Sequence, residues 1–346
     1  MIKYLGSKRT LIPAILSIVN QLPEVNSVMD LFSGTARVGH ALKQSGYKVL
    51  SNDLNTYAVT LARCYVQSDD KWSEQASSII QELNSLPGQP GYFTETFCRR
   101  SRFFQPHNGA RIDAIREWIA ARALDPELES ILLVSLMEAA DRVDSTVGLQ
   151  MAYLKQWAPR AYNDLALRMP VLLPQPAAGA CCAVQHEALE AAALLSADVA
   201  YLDPPYNQHK YLGNYHIWES LVRWDKPDVY GVACKRIDVR ERKSSFNSKR
   251  RALAAFTELA QAVRARHLVV SFNDEGHISR EEMESLLQQR GEVLVIEKEY
   301  RRFVGARIGI HSPSGERVGE VSHVRNKELI YVVSDDKAVL DLITAG

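Results

Sequence analysis

Residues 27–53, SVMDLFSGTARVGHALKQSGYKVLSND, are the stretch that decides the fold. The first six, 27–32, predict a short buried strand, and residues 33–39 form a glycine-bearing turn after it. Residues 40–44 continue as a helix, and residues 47–53 predict a second strand that ends in a carboxylate. Strand, glycine turn, helix, strand and acid together make a βαβ unit, so the sheet that it belongs to is expected to be parallel.

Further strands and helices are expected outside this unit. A helix is predicted over 11–19, and the later strands are predicted over 197–202, 267–272, 292–297 and 328–333. The last two strands are expected to form an antiparallel pair at the end of the sheet. The segment 69–180 has a different pattern, with helices over 72–83, 111–123 and 128–143 and a proline-bearing linker at 170–176.

The predicted fold class is therefore α/β. Residues 1–68 and 181–346 form a Rossmann-like sheet with an antiparallel C-terminal strand pair, and residues 69–180 form an inserted, mainly helical domain. A length of 346 residues and a mass of 38.8 kDa agree with one large domain that carries an insertion.

The composition excludes several classes of protein. Hydrophobic residues make up 46% of the chain and charged residues 24%, which is too apolar for general disorder. Lys and Arg total 41, as do Asp and Glu, so a uniformly basic nucleic-acid binder is excluded but a local basic patch is not. We find no apolar run long enough for a bilayer, no secretory signal and no CxxC spacing among the five cysteines. We expect a cytoplasmic protein without a membrane or metal partner.

The strongest chemical signal is Asp203-Pro204-Pro205-Tyr206, directly after the strand expected at 197–202. Two consecutive prolines fix the backbone and remove two N–H donors, so their carbonyl groups protrude without a competing donor. Asp203 and the Pro204 carbonyl can together accept both hydrogens of one exocyclic amino group, and Tyr206 offers a flat face on which a base can stack. Because ligands of α/β proteins bind beyond the carboxyl ends of the strands, we assign all four residues to a catalytic site.

The glycine turn predicts a cofactor site beside it. Residues 34–39 match the dinucleotide-binding pattern G-x-G-x-x-G, except that Ala36 replaces the middle glycine. Small residues in such a turn let backbone N–H groups approach a ligand. Asp53 ends the second strand, where a carboxylate can accept both hydroxyls of a ribose, and the alternative of a helix N-cap stays open.

Basic residues are concentrated in two places despite the zero net charge. The first is the insertion segment 99–104, where arginines precede two phenylalanines, and the second is 235–251. Charge runs are often only solvated faces, but two of them near one predicted cleft favour phosphate contacts. The predicted DNA-contacting residues are Arg99, Arg100, Arg102, Lys210, Lys235, Arg236, Arg240, Arg242, Lys243, Lys249, Arg250 and Arg251.

Several of these motifs resemble one protein family when they are taken in order. The blocks 3–9 (KYLGSKR), 30–39 and 203–206 resemble the amino-methylating DNA methyltransferases, and most closely the Dam-like adenine-N6 enzymes that include the modification partners of type IIS restriction systems. The resemblance covers both sides of the insertion. Further likeness lies in residues 92–94, 108–113, 148–155, 206–211 and 271–274.

The resemblance implies S-adenosylmethionine as the methyl donor and the methyltransferase version of the Rossmann-like fold. Lys8 and the region of Gly6 would contact the methionine part of the donor, and Asp53 would bind its ribose. Glu187 stands where the family usually has an Asp near the adenine of the donor. The complete set of expected donor-binding residues is Tyr4, Gly6, Lys8, Asp30, Phe32, Gly34, Thr35, Asp53 and Glu187.

The expected activity is the methylation of adenine N6 at a specific sequence in double-stranded DNA, with the target base flipped into the cleft. Residues 69–180 would supply much of the target recognition, and a cognate restriction endonuclease is a further expected partner. Cytosine N4 stays open as a target, because the same geometry serves its amino group. Methylation of RNA or of a protein glutamine ranks lower, since those enzymes usually lack a helical insertion. A nicotinamide-dependent oxidoreductase would leave residues 203–206 unexplained, and a non-catalytic DNA-binding module would keep its function in Asp203→Ala.

Overall fold

The structure of the protein is a computed structural model that describes residues 1–208, 210–274, 276–301, 310–311, 317–319 and 325–343. Its strands, in chain order, are β1 (Ser27–Asp30), β2 (Lys48–Asn52), β3 (Cys182–Val184), β4 (Val199–Leu202), β5 (Val229–Tyr230), β6 (Lys235–Arg236), β7 (His267–Asn273), β8 (Glu292–Arg301), β9 (Ile310–His311), β10 (Arg317–Gly319) and β11 (Arg325–Ser334). Seven of these strands form a central sheet in the order β3-β2-β1-β4-β7-β11-β8. The pairs β5-β6 and β9-β10 are separate short hairpins.

The sheet is parallel from β3 to β7, and β11 is antiparallel to both of its neighbours. This confirms the predicted α/β class with its antiparallel C-terminal pair, although both strands of the pair extend further than 292–297 and 328–333. The chain leaves β1 toward β2 on one side, and β4 lies on the other side. Such a reversal opens a crevice beyond the carboxyl end of β1, where α/β proteins bind their ligands.

Helices cover both faces of the sheet. They are α1 (Ile12–Gln21), α2 (Arg37–Gln44), α3 (Thr56–Ala62), α4 (Ser73–Ser85), α5 (Tyr92–Thr94), α6 (Pro106–Ala120), α7 (Pro126–Val143), α8 (Ala188–Leu194), α9 (Tyr211–Asn214), α10 (His216–Arg223), α11 (Ala252–Ala262), α12 (Arg280–Leu287) and α13 (Lys337–Asp341). Within the described part of the chain, none of them combines the length and apolar character needed to cross a membrane. All five cysteines are free thiols.

Alternate residues of the buried strands supply two hydrophobic cores, because successive side chains of a strand point to opposite faces. Met29 of β1 packs with α8, α11 and α12, through residues such as Phe256 and Met283. Val28 packs on the other face, in a cluster that also contains Phe93 and Ile131 of the predicted insertion. The molecule is thus a sheet between two helical layers.

The segment 69–180 shares its core with the catalytic part of the chain. Its buried side chains belong to the same continuous cluster as Val28, Val49 and Tyr57. Polar contacts join the two parts as well, because the Nζ of Lys3 lies 2.9 Å from the Oδ1 of Asp144, at the end of α7. The insertion therefore forms a layer of the same body, and its recognition role stays a prediction.

Candidate active site

One cleft opens beyond the carboxyl ends of β1, β2 and β4, as the strand order predicts. Seven chain segments line it, at 4–8, 30–38, 52–55, 186–188, 201–205, 210–212 and 242–247. The structure brings most of the predicted site residues together here. Those in the lining are Tyr4, Gly6, Lys8, Asp30, Phe32, Gly34, Thr35, Asp53, Glu187, Asp203, Pro205, Lys210 and Arg242.

Two residues of the glycine turn at 33–39 have left-handed backbone conformations. Gly34 has a φ of +50°, and an added Cβ would lie 3.4 Å from the ring of Tyr4. Ala36, which replaces the middle glycine of the pattern, has a φ of 58° at the start of α2. Only small residues suit such a turn, because larger side chains would fill the space above its backbone.

Asp53 ties this turn to the end of β2. Its Oδ2 accepts a hydrogen bond of 2.9 Å from the N–H of Gly34, and its Oδ1 accepts one of 2.9 Å from the N–H of Asn55. Burial raises the pKa of Asp53. The carboxylate thus stabilises the loop before α3, a role similar to the helix N-cap that the sequence left open. It also lines the cleft, where the ribose of the donor is predicted to bind.

Asp30 is a buried acid with one oxygen unused. No hydrogen-bond partner is found for its Oδ1 within the described residues. Burial raises the pKa of Asp30 to about 8, and the nearby charges of Asp203 and Asp53 add to the effect. A buried polar atom without a partner is costly unless a ligand satisfies it. Asp30 therefore indicates a ligand that donates hydrogen bonds or carries positive charge.

Asp203 lies directly after β4 and faces a lysine. The Nζ of Lys8 is 3.1 Å from its Oδ1, and Lys8 also forms a very short contact with Glu328 of β11. Burial raises the pKa of Asp203 to about 6, against the lowering effect of Lys8. Burial alone would lower the pKa of Lys8, but Asp203 and Glu328 raise it well above its usual value. The donor contact expected for Lys8 stays a prediction, and in the structure its ammonium lies beside Asp203 in the lining of the cleft.

Aromatic rings surround this acid. The ring of Tyr206 meets Phe272 edge-on, with centroids 6.2 Å apart, and the Nζ of Lys8 lies 5.9 Å from the Tyr206 centroid. Tyr4 is stacked between Tyr211 and Tyr215, with centroid distances of 5.3 Å and 4.5 Å. Of these rings, Tyr4 and Tyr211 belong to the lining of the cleft and give it flat aromatic surface that suits a planar ligand.

The basic segment 235–251 divides into buried and exposed residues. Arg236 is only 1% exposed and is bound by Asp225 at 2.7 Å and by Asp238 at 3.1 Å. Its predicted DNA contact is therefore wrong, since the guanidinium is committed to two carboxylates inside the protein. Arg242 is held by Glu219 at 2.7 Å. The remaining members at the surface are Arg240, Lys243, Lys249, Arg250 and Arg251, with Lys235 half-buried.

The other basic cluster lies in the insertion. Arg99 and Arg100 are exposed, and Arg99 pairs with Glu95 one turn earlier. Arg102 lies over the ring of Trp157, 4.9 Å from its centroid. Phe103 and Phe104, which follow these arginines, are buried in the core and so are not available to stack on bases.

Sequence reasoning missed several residues of the site. Glu328 and Ser271 lie beside Lys8, and Phe246 packs edge-on against Phe32 with centroids 5.3 Å apart. The only signal for Glu328 was a charge at the start of an otherwise apolar strand. Among the described residues, no group of three or more His, Cys, Asp or Glu side chains is arranged to hold a metal ion.

Comparison with known proteins agrees with this geometry. The profile of the D12 class N6 adenine-specific DNA methyltransferases matches residues 4–286. The type II methyltransferase M.NlaIII of Neisseria lactamica is 29% identical over 307 residues, covering 86% of this chain and 90% of that protein.

Two longer proteins are also similar. The modification methylase StsI of Streptococcus sanguinis is 29% identical over 304 residues, and the type II methyltransferase M.FokI of Planomicrobium okeanokoites is 32% identical over 310 residues. The alignments cover 83% and 84% of this chain but only 46% and 47% of those proteins, so the chain spans about half of their length. With the matching profile over most of its length, the chain belongs to the D12 class of N6 adenine-specific DNA methyltransferases, which confirms the enzyme family and the S-adenosylmethionine dependence expected from its sequence.

Proposed function

We propose that the chain methylates the N6 amino group of an adenine that is flipped out of double-stranded DNA at a specific sequence. The observation that carries the proposal is Asp203, a partly buried acid followed by two prolines in a cleft whose lining includes the aromatic rings of Tyr4 and Tyr211. Family membership supports the choice of adenine. Cytosine N4 remains the alternative target, since its amino group fits the same acceptors.

The donor half of the cleft fits S-adenosylmethionine. The unpartnered Oδ1 of Asp30 suits a positively charged group, and the open turn at Gly34 leaves room for a ligand beside the backbone. Asp53 and Glu187, both in the lining, would bind the ribose and lie near the adenine of the donor. When bound, the donor supplies an electrophilic methyl group on a positively charged sulfur.

The part of the cleft around Asp203 would make the target amino group more nucleophilic. The lone pair of this nitrogen is delocalised into the base, so the nitrogen is a poor nucleophile until its geometry changes. Asp203 and the carbonyl of Pro204 would accept its two hydrogens and draw the nitrogen toward tetrahedral geometry. When N6 takes the methyl group and the carbon–sulfur bond of the donor is broken, the carboxylate of Asp203 would accept the proton that N6 releases. Positioning and charge complementarity account for most of this catalysis.

DNA would be held by basic residues of the segments 99–102 and 235–251 together with Lys210; most of them are exposed, and Arg102, Lys210, Lys235 and Arg242 are partly buried. The side chain of Asp203 is only 17% exposed, so a base stacked in the duplex would have to flip to reach it, and Tyr206 would stack on the flipped base. The proposed contacts are Arg99, Arg100, Arg102, Lys210, Lys235, Arg240, Arg242, Lys243, Lys249, Arg250 and Arg251. Because similar proteins are named as type II methyltransferases, a cognate endonuclease is a proposed partner.

The test combines one variant with identification of the product. Unmethylated DNA is incubated with the protein and the donor, digested to nucleosides and analysed by mass spectrometry. We expect N6-methyl-2′-deoxyadenosine from the original chain and none from Asp203→Asn, with donor affinity largely kept in calorimetry. Asp335→Asn, an exposed acid at the other end of β11, is the matched control and should keep full activity. A product that contains only methylcytosine would refute the adenine assignment.

A further inference from the structure

Three charged side chains form a cluster in which Lys8 and Asp203 line the cleft and Glu328 contacts Lys8 from outside the lining. Lys8 comes from a turn after the N-terminal segment, Asp203 follows β4, and Glu328 lies in β11, two strands away in the sheet. Lys8 is 7% exposed and Glu328 is 2% exposed. Lys8 binds both acids, with its Nζ 3.1 Å from the Oδ1 of Asp203 and in short contact with the Oε1 of Glu328.

Lys8 occupies a place that the substrate also needs. In the proposed mechanism, the carboxylate of Asp203 accepts a hydrogen bond from the target amino group. The ammonium of Lys8 now donates to the same carboxylate, and it is the stronger donor because it is charged. A full Lys8–Asp203 bond would therefore compete with the substrate, whereas complete removal of Lys8 would leave Asp203 buried without a countercharge.

Glu328 offers the ammonium a second position. Its Oε1 accepts a hydrogen bond of 2.8 Å from the Oγ of Ser271, which belongs to the neighbouring strand β7. The register of β7 and β11 places Ile330 opposite Ser271 and Glu328 opposite Asn273, so the sheet itself fixes this acid. The proposed mechanism gives Glu328 no other task.

We propose that Glu328 is a positioning residue that takes over the ammonium of Lys8 when the target amino group binds to Asp203. Lys8 then stays close enough to keep Asp203 ionised without blocking it. The inference rests on the proposed function, since it assigns the amino group to Asp203. It adds a residue whose contribution is made through Lys8 and not by touching the substrate.

Removal of the Glu328 charge should lower both the rate of methyl transfer and the pKa of Asp203. A residue that only stabilised the fold would not produce the two changes together. Lys8 is left with Asp203 as its acceptor and competes with the substrate, so the rate falls. At the same time the pKa of Asp203 falls, because the charge of Glu328 is one of the causes that raise it. The other titratable groups that face Lys8 or Asp203 are Asp30, Tyr201, Tyr206 and Tyr211, and all of them stay in place.

The experiment measures kcat/KM for methyl transfer to unmethylated DNA as a function of pH, because its acid limb reports the ionisation of the free enzyme. For Glu328→Gln we expect a plateau about tenfold lower, the size of a lost charge-assisted hydrogen bond, and an acid limb shifted to lower pH. Lys8→Met should shift the acid limb to higher pH. Glu328→Asp keeps the charge and should keep the acid limb near its original position.

Two controls separate the outcomes. Glu292→Gln makes the same substitution at an exposed position of the same sheet and should leave the profile unchanged. Thermal unfolding and donor binding must be normal in each variant that is compared. If Glu328→Gln loses activity without a shift of the acid limb, or shows neither change, the inference is overturned. If the original chain itself does not methylate DNA, the proposed function fails instead.

Discussion

At the scale of single residues, Asp30 makes one contribution to the way in which the stability of the ligand-free protein depends on pH. Its pKa is about 8 in the folded chain against a usual value of 3.8, so between these values the folded state binds more protons than the unfolded state. The contribution of Asp30 to the free energy of unfolding then falls as the pH rises, by at most about 1.4 kcal/mol per pH unit. This contribution is present at low pH and is lost as the pH rises through 8.

Asp30→Asn should remove this loss, because the amide resembles the protonated acid. We expect the variant to gain stability over the original chain as the pH increases, with a difference that levels off above about pH 8. Thermal unfolding at a series of pH values without donor measures it. A difference that stays constant or shrinks with rising pH would contradict the assignment.

Gly34 gives a second prediction at this scale. Its φ of +50° and the ring of Tyr4 at 3.4 Å leave little room for a side chain. Gly34→Ala should cost about 1–2 kcal/mol of stability for the left-handed backbone and should also weaken donor binding. Gly46→Ala is the matched control, since Gly46 has a φ of +92° but nothing within 4 Å of an added Cβ. Equal donor affinity in both variants would show that the turn does not line the donor site.

The sequence predicts site residues whose immediate neighbours in the chain mark them out. Asp203 follows an apolar strand and precedes two prolines, and Asp53 ends a strand, so both were found. Glu328 was missed because its role depends on Lys8, which is 320 positions away. Sequence patterns report local order, and contacts across such a distance exist only in the folded chain.

At the scale of elements, the hairpin β5-β6 depends on Arg236. The arginine donates to Asp225 and Asp238, so Arg236→Ala removes one countercharge from each carboxylate and leaves both of them with Arg223. We expect a loss of about 1–3 kcal/mol of stability, with no change in the salt dependence of DNA binding. Chemical denaturation and DNA titrations at several salt concentrations measure the two effects. A smaller salt slope in a fully stable variant would restore Arg236 to the DNA-contacting set.

The exposed end of the same basic segment should behave in the opposite way. Lys249, Arg250 and Arg251 are exposed and precede α11. Replacing all three by alanine should leave stability nearly unchanged and reduce the slope of log K against log salt by about 0.9 for each phosphate contact that is lost. The same titrations test this, and an unchanged slope would mean that this end faces only solvent.

The bounds of the helices and strands show which parts of the secondary structure local sequence patterns can predict. Helices α6 and α7 begin at Pro106 and Pro126, earlier than the predicted starts at 111 and 128, because proline is favoured at the first position of a helix. β3 has only three residues, Cys182–Val184, and was not predicted. Such a short edge strand has no period of its own and forms because it pairs with β2.

At the scale of the whole molecule, the shared core makes the insertion inseparable from the catalytic part. Phe93, Phe97 and Ile131 are fully buried in the cluster that also contains Val28 of the sheet. Excision of residues 69–180 with a short linker should therefore give a chain that does not unfold cooperatively. Calorimetry and near-ultraviolet circular dichroism would test this, and a single sharp transition in the shortened chain would show an independent domain. The sequence indicated the change of pattern at this segment but not that both parts share one core.

The contact between Lys8 and Glu328 has a consequence for the synthesis of the protein. The two residues are joined across 320 positions, and β11 lies between β7 and β8 in the sheet. A ribosome-bound chain that has not yet released β11 holds Asp203 and Lys8 without the strand that sets their arrangement. The growing chain should therefore stay inactive on DNA until its last long strand emerges, and activity should begin abruptly and not in proportion to length.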